Sequence, residues 1–593
     1  MPIYKTSGTC SRAIDFEVEN SVVTKCRFEG GCAGNTQGVA KLAIGRNVGE
    51  VIAALKGIQC RNGTSCPDQL ARALEEYVKP SAGKSILLLV AMALSLAATP
   101  SAALAGALKL ASPFTDGAVL QRDRPVPVWG TATGGATVEV EFAGQRASAT
   151  AGEDGRWRVD LKAMPACKSS RTLTVRSQAE ELRVADVLVG EVWICSGQSN
   201  MQVPFWSGSP RARDRSGYLV GQITWREHIR CARLTNPWSA KPNLKQKIEW
   251  KKATSSYLIH GGFSAVGLFF ALTVDSVLRD VPIGLIGGYV GATGIDTWTP
   301  RSAYGSYPEL KDIADYPVCQ NWTEDMARGR VYNGGEQPTV YYNGKFASVA
   351  PYSARGILWY QGERNTSENE WRRYRMKMHA FYDGFKKEFE NDNLKLYFVQ
   401  LAPWGNPNIP YIQMEQEKFA LEEPNAGMAV INDIGNLRDI HPNDKESVGR
   451  RLAMLALKRD YGMSGIVADS PRLESAVHEG EGKVRLKFAE AKAMFALDPA
   501  WCYMYDTAKS AELGFEIAGE DGVFKPAKIE NLKASKIRKT FEYRGMMDGE
   551  GIVVSADGVA VPKAVRYLHV KPWFGRITNE AGLPLGAFAA EVK

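Results

Sequence analysis

Val192-Trp193-Ile194-Cys195-Ser196-Gly197-Gln198-Ser199-Asn200-Met201 is the stretch that decides the fold. The apolar run 192–195 reads as a short strand, and a glycine-flanked serine follows it directly. A strand that ends this way places the serine hydroxyl at the carboxyl edge of a parallel sheet, where ligands bind in open α/β folds. The same turn aims backbone N–H groups at whatever the serine attacks. The plainer alternative is a Ser199 that only caps the next helix.

Working outward, similar apolar strands recur at 283–286, 356–360, 396–401 and 428–431, separated by helical stretches. Strands alternating with helices from about 188 to 462 predict an α/β fold: a parallel sheet with helices on both faces. A serine nucleophile needs a base, and the chain has six histidines. His441 stands in Asp439-Ile440-His441-Pro442, just before a helix with Val448, Leu452 and Leu455 on its apolar positions. Asp439 is placed to hydrogen-bond the imidazole, fix its tautomer and stabilise its protonated form. Gly291-Ala292-Thr293 and Gln361-Gly362-Glu363 also follow predicted strand ends. They are candidates for an oxyanion hole, in which Gly291 lets a backbone N–H approach and Gln361 adds a side-chain donor. Turn geometry alone accounts for any one of these glycines, but four blocks at one sheet edge converge on one site.

These blocks, with Trp298 and Trp359-Tyr360, resemble the sialate O-acetylesterase family of SGNH hydrolases. So do residues 121–130 (QRDRPVPVWG), 186–193 (DVLVGEVW) and 448–452 (VGRRL). The resemblance runs from about residue 107 to the C-terminus. It implies a three-layer α/β/α sandwich, Ser199 as nucleophile, His441 as base and Asp439 as its partner. It implies the oxyanion at Ser199, Gly291 and Gln361. Gln198, Asn200, Trp298 and Glu363 are the expected substrate contacts. Trp206, Trp298, Trp359 and Tyr360 are aromatics suited to stacking on a sugar face, with core packing the first reading for each taken singly. An acetylated sugar or glycan is the expected substrate, and the esterase needs no cofactor. Two departures stand out: Gly291-Ala292-Thr293 where Gly-Gly-Thr is expected, and Glu363-Arg364-Asn365 where Glu-Ser-Asn is expected. An acetylesterase for xylan-type oligosaccharides and an inactive carbohydrate-binding protein are the alternatives.

The expected layout is a Cys-rich unit at 1–80, a signal-like apolar segment at 81–106, a β-sandwich at 107–187, the catalytic domain at 188–462 and a β-rich region at 463–593. The sandwich rests on short alternating runs such as Thr137-Val138-Glu139-Val140-Glu141-Phe142 with Asp-Gly turns between them. In residues 1–80, alternation predicts strands at 14–18 and 22–28, and apolar spacing predicts helices at 48–55 and 69–77. Five of the 10 cysteines lie in the first 66 residues. Cys10-Ser11-Arg12, Gly31-Cys32, Cys60 and Thr64-Ser65-Cys66-Pro67-Asp68-Gln69-Leu70 resemble the small TSCPD-domain proteins, with Cys26 as an extra thiol. Cys10, Cys32, Cys60 and Cys66 are candidate ligands for a zinc ion, against the alternative of buried thiols in a reduced cytoplasmic-type fold.

Lys79 and Lys84 precede an uncharged apolar run, and Ala103-Leu104-Ala105 follows it. That is the layout of an export signal, about 80 residues late. It implies a secreted or periplasmic esterase; a membrane anchor through residues 86–105 and a merely buried segment are the rival readings. A joining of two reading units explains a signal behind a thiol-rich domain. The net charge of +8 is small for 593 residues, and no basic stripe argues for nucleic acid. All four blocks lie beyond residue 106, so residues 1–80 are expected to be dispensable for the reaction.

Overall fold

The computed structural model describes residues 3–19, 21–60, 64–78, 107–205, 226–254, 257, 262–316, 337–435, 439–497, 513–532, 543–547, 551–569 and 575–593. The signal-like segment, Trp206 and His260 lie outside them. No described helix is long and apolar enough to cross a membrane. The chain divides into two compact units, Met1–Ser101 and Ala102–Lys593.

In the first unit, strands Ile3–Lys5, Ser11–Glu19 and Val22–Gly30 form an antiparallel sheet. Helices Ala33–Ala43, Val48–Leu55 and Cys66–Val78 accompany it. Ile14 and Phe16, two apart on one strand, meet Leu70 and Leu74, four apart on the last helix. These are the periods by which a strand and a helix each present one face. The helix Ala33–Ala43 is absent from the sequence expectation. Gly34 and Gly38 lower its intrinsic propensity, and burial of Ala40 and Ala43 is what holds it.

The second unit is built on a strand that serves two sheets. Strand β1 (Glu180–Gly197) pairs antiparallel with Cys167–Ser177 through its first half. Its second half is parallel to two strands of a larger sheet. The expected boundary at 187/188 therefore falls inside one continuous strand. That larger sheet adds β2 (Ile229–Arg233), β3 (Trp250–Lys252), β4 (Ile283–Tyr289), β5 (Gly356–Tyr360), β6 (Lys395–Val399) and β7 (Ala426–Ala429). Their spatial order is β3-β2-β4-β1-β5-β6-β7, with only β3 antiparallel to its neighbour.

Helices cover both faces, as a parallel sheet requires. On one face lie α1 (Ala265–Leu278) and α4 (Lys445–Arg459). There Trp193 meets Phe270 at 5.0 Å, and an ideal Cβ on Gly449 would lie 2.6 Å from Phe269 Cβ, so the two helices touch where a side chain is missing. On the other face lie α2 (Tyr374–Glu388) and α3 (Ile409–Glu422). Trp359 meets Phe381 at 4.3 Å, and Phe398 meets Phe419 at 5.6 Å. The β-sandwich strands share the same continuous core, whereas the C-terminal strands have a separate one.

Glu191 sits on β1 where it leaves one sheet for the other, with no exposed surface. Arg122 Nε reaches one carboxylate oxygen at 2.5 Å, and Arg355 spans both at 2.9 and 3.0 Å. Burial pushes this carboxyl up, but Arg355 and Arg122 together hold it below the ordinary carboxylate range. Its stabilisation is therefore complete at neutral pH and is lost only as pH falls through that lowered value. Glu191→Ala should cost roughly 3 kcal/mol at pH 7, the low end for breaking a buried pair. The low end applies because the Arg122 and Arg355 side chains keep 22% and 21% of their surface in water. Urea unfolding of the two proteins checks this, and a loss under about 1 kcal/mol would mean that the cluster is no more than a surface pair.

Candidate active site

The site begins at Gly197, the last residue of β1. Its φ is +136°, and an ideal Cβ there would lie 2.1 Å from the Tyr360 carbonyl oxygen of β5. Only glycine fits so close an approach. Gln198 N–H donates to that same carbonyl at 3.0 Å. The next residues, Ser199–Gln202, form a single helical turn, with the Met201 and Gln202 N–H groups on Gln198 O at 3.0 and 2.9 Å. Ser199 is half-buried between Gln198 and Asn200, which are both buried.

The histidine block meets this turn through Asn200. Asn200 Nδ2 donates to Ile440 O at 3.0 Å, joining residues 240 apart in sequence. Asp439 Oδ1 lies 3.3 Å from His441 Nδ1 and accepts the His441 N–H at 3.0 Å. The His441 and Asp439 side chains keep 30% and 20% of their surface, so solvent or a substrate reaches both. Asp444 caps α4 by accepting from Ser447 N–H at 2.9 Å, which fixes the end of the loop that carries His441.

Gly291 follows β4 and lies against the Ser199 turn: its ideal Cβ would be 3.4 Å from both Ser199 Cβ and Gln202 Oε1. Its N–H donates to Gln202 Oε1 at 2.7 Å. Ala292 has a φ of +60°. The departure from Gly-Gly-Thr thus falls at a left-handed residue, where glycine costs nothing and alanine is strained.

Several expected contacts turn inward, and this corrects the sequence expectation. Gln361 is fully buried and its Nε2 donates to Thr293 O at 3.0 Å and Asn365 Oδ1 at 2.7 Å, while Tyr374 Oη donates to its Oε1 at 2.9 Å. It is a strut between the 291–293 and 361–365 loops, not an open side-chain donor. Gln198 Oε1 accepts from the Arg364 N–H at 3.2 Å. Trp298 has no exposed surface, donates to Thr293 Oγ1 at 2.9 Å and stacks on Tyr341. Trp359 and Tyr360 are likewise core. Asn200 Nδ2 also donates to Glu363 Oε1 at 2.5 Å. Burial raises the Glu363 carboxyl. For Gln361, Gln198, Asn200 and the Trp298 indole the physical reason is shared: polar groups packed behind a sheet edge lose water and satisfy one another.

Sequence reasoning missed Gln202, Tyr374 and Lys445. Lys445 had a signal, since a lysine in the first turn of a helix opposes the macrodipole. Burial pushes its amine down to about 7, with Glu363, Asp444 and Asp439 pulling the other way. Two other carboxylates in blocks near this edge are committed elsewhere, Asp433 to Arg451 at 2.6 and 2.7 Å and Asp296 to Lys377 at 2.8 Å.

In the first unit, the neighbouring Cys32, with Cys66 and Cys60 nearby, raises the Cys10 thiol above its ordinary range. Cys66 is buried and the other three are exposed. Among the described residues no group of three or more His, Cys, Asp or Glu has the geometry to hold a metal ion. The zinc expectation finds no support there.

The family model described as carbohydrate esterase, sialic acid-specific acetylesterase, matches residues 189–458, and the TSCPD domain model matches residues 2–78. The sialate O-acetylesterase of Homo sapiens is 28% identical over 417 residues, covering 63% of this chain and 75% of its own length. That of Rattus norvegicus is 27% identical over 398 residues, covering 58% and 72%. A carbohydrate acetylesterase of known crystal structure from Xanthomonas citri is 31% identical, with a TM-score of 0.67 over 81% of this chain and 99% of its own.

The strain at residue 292 yields a direct test. Ala292 is exposed, so replacing it loses little packing. Ala292→Gly removes a left-handed penalty of about 1–2 kcal/mol and adds roughly 0.4–1 kcal/mol of unfolded-chain entropy. The variant should be as stable as the parent or up to ~1.6 kcal/mol more stable, measured by chemical denaturation, and a clearly less stable Ala292→Gly would contradict the strain.

Proposed function

The chain belongs to the sialic acid-specific acetylesterase family of carbohydrate esterases, and from that premise we propose that it hydrolyses O-acetyl esters of sugars, sialic acids first, by a serine acyl-enzyme mechanism. The observation that carries this reading is the Asn200–Ile440 bond, which sets the Ser199 turn beside the Asp439–His441 loop. His441 accepts the proton from Ser199 Oγ as the oxygen attacks the acetyl carbonyl. Asp439, at Nδ1, holds the ring in the tautomer that leaves Nε2 to act as base and stabilises the imidazolium. The Ser199 and Gly291 N–H groups receive the oxyanion. Collapse expels the sugar hydroxyl, which takes its proton from His441. Water, activated by the same imidazole, then cleaves the acetyl-Ser199 ester and releases acetate.

No step of this scheme uses a metal. Ser199→Ala should lower turnover of p-nitrophenyl acetate by on the order of 10^4-fold, with unfolding unchanged, and EDTA should leave the parent rate where it is. A Ser199→Ala protein that keeps a tenth of the parent activity rules out the nucleophile, and so does a chelator-induced collapse that zinc reverses. An inactive parent favours the carbohydrate-binding alternative.

Arg364 favours an acidic sugar. It is exposed, its N–H is anchored to Gln198 beside the nucleophile, and its Cγ lies 3.9 Å from the ideal Cβ of Gly294 in the oxyanion loop. A guanidinium at this rim suits the carboxylate of a sialic acid, a group that neutral xylo-oligosaccharides lack. Arg364→Ser should raise KM for acetylated sialic acids roughly 5-fold, the scale of an exposed ion pair, and leave p-nitrophenyl acetate unaffected. An unchanged sialate KM, with faster turnover of acetylated xylo-oligosaccharides by the parent, supports the hemicellulose reading instead.

A further inference from the structure

Lys445 is the first residue of α4 and is 4% exposed. Both facts count against a cation: burial strips its water, and the helix N-terminus already carries positive partial charge. A lysine kept there needs compensation, and the structure supplies it from the two halves of the site. Nζ donates to Asn200 Oδ1, and it lies 5.3 Å above the centre of the Tyr360 ring. Glu363, Asp444 and Asp439 are the carboxylates close enough to favour its charged form, although burial, the larger effect, still takes it down to about 7.

The consequence lies in the orientation of one amide. Asn200 has an oxygen that only accepts and a nitrogen that only donates. With Lys445 on Oδ1, Nδ2 must face the acceptors on the other side, Glu363 Oε1 and Ile440 O. Exchange of the two amide atoms would set Nδ2 against the Lys445 amine, which is the donor in this contact, and Oδ1 against the Ile440 carbonyl, which can only accept. Asn200 follows Ser199 directly, and Ile440 precedes His441 directly.

We propose that Lys445 is a positioning residue, which locks the Asn200 amide in the one orientation that ties the nucleophile turn to the histidine loop and so sets the Ser199-to-His441 geometry. This rests on the esterase reading above, since the geometry matters only if Ser199 and His441 react together. A small error in that geometry is expensive, because misplacement by about 1 Å costs on the order of 100-fold.

The test is a double-mutant cycle on the full chain with p-nitrophenyl acetate. Lys445→Met keeps the length and removes the donor, and Asn200→Ala removes the link from its other end. Each should lower kcat by roughly 10- to 100-fold with KM within about twofold, because neither side chain reaches the substrate. The double variant should lose about what one single variant loses, since both break the same link. Near-parent kcat in either variant, when folded by circular dichroism, overturns the proposal. So does a double-variant loss equal to the product of the two single losses, or a loss that appears mainly in KM. If Lys445→Met fails to fold, Asn200→Ala alone decides through its kcat. Failure of the esterase reading looks different: there the parent itself shows no Ser199-dependent turnover.

Discussion

One buried carboxylate stands where the architecture changes. Glu191 lies on the strand Glu180–Gly197 between its antiparallel half and its parallel half, and it draws Arg122 from the sandwich side and Arg355 from the start of the neighbouring parallel strand. The strand then ends in Gly197 and presents Ser199. The position of Ser199 is thus inherited from a strand whose register is fixed in two sheets, one of them outside the parallel layer. The shared hydrophobic core is the energetic expression of the same continuity.

Much of this was open to sequence reasoning. Short apolar runs between helical stretches are what a doubly covered parallel sheet demands, and the runs at 192–195, 283–286 and 356–360 lie inside strands Glu180–Gly197, Ile283–Tyr289 and Gly356–Tyr360. The blocks just beyond those ends were legible for the same reason: topology alone puts them at one edge. What remained hidden was direction. A block such as Gln361-Gly362-Glu363 says that polar residues gather at the edge, but not whether they face a substrate or each other. Here Gln361, Glu363 and Gln198 face each other's loops, and the reactive surface is left to smaller groups. Trp298 misled in the same way, because an indole beside a candidate site is as well suited to bracing a loop as to stacking on a sugar. The expected domain boundary at 187/188 has no break in the chain to mark it, since one strand leaves one sheet and enters another without a turn.

The C-terminal strands take part in the site indirectly. Asn432, just past the last parallel strand, donates to Leu585 O at 3.2 Å, and its backbone carbonyl accepts from the Gly575 N–H at 3.0 Å. Gln413 of α3 donates to Asn432 Oδ1 at 2.7 Å. This buried amide therefore clamps the sheet edge upstream of the His441 loop to a region with a separate core. Two asparagines, Asn200 and Asn432, do related work at this edge, each reaching a segment more than a hundred residues away through its amide nitrogen while its amide oxygen accepts from a second side chain.

The contact between the Gly291 N–H and Gln202 Oε1 gives the resting site a resident acceptor. In the proposed reaction an arriving ester must take the place of an amide oxygen already bound there. Ester and amide carbonyls are both neutral acceptors, so the exchange returns little when substrate first docks. Once the carbonyl oxygen becomes an alkoxide, the same N–H holds a full negative charge instead of a dipole, and the exchange becomes strongly favourable. A glutamine that competes with the substrate but not with the tetrahedral adduct thus shifts binding energy away from the ground state and into the reacting one.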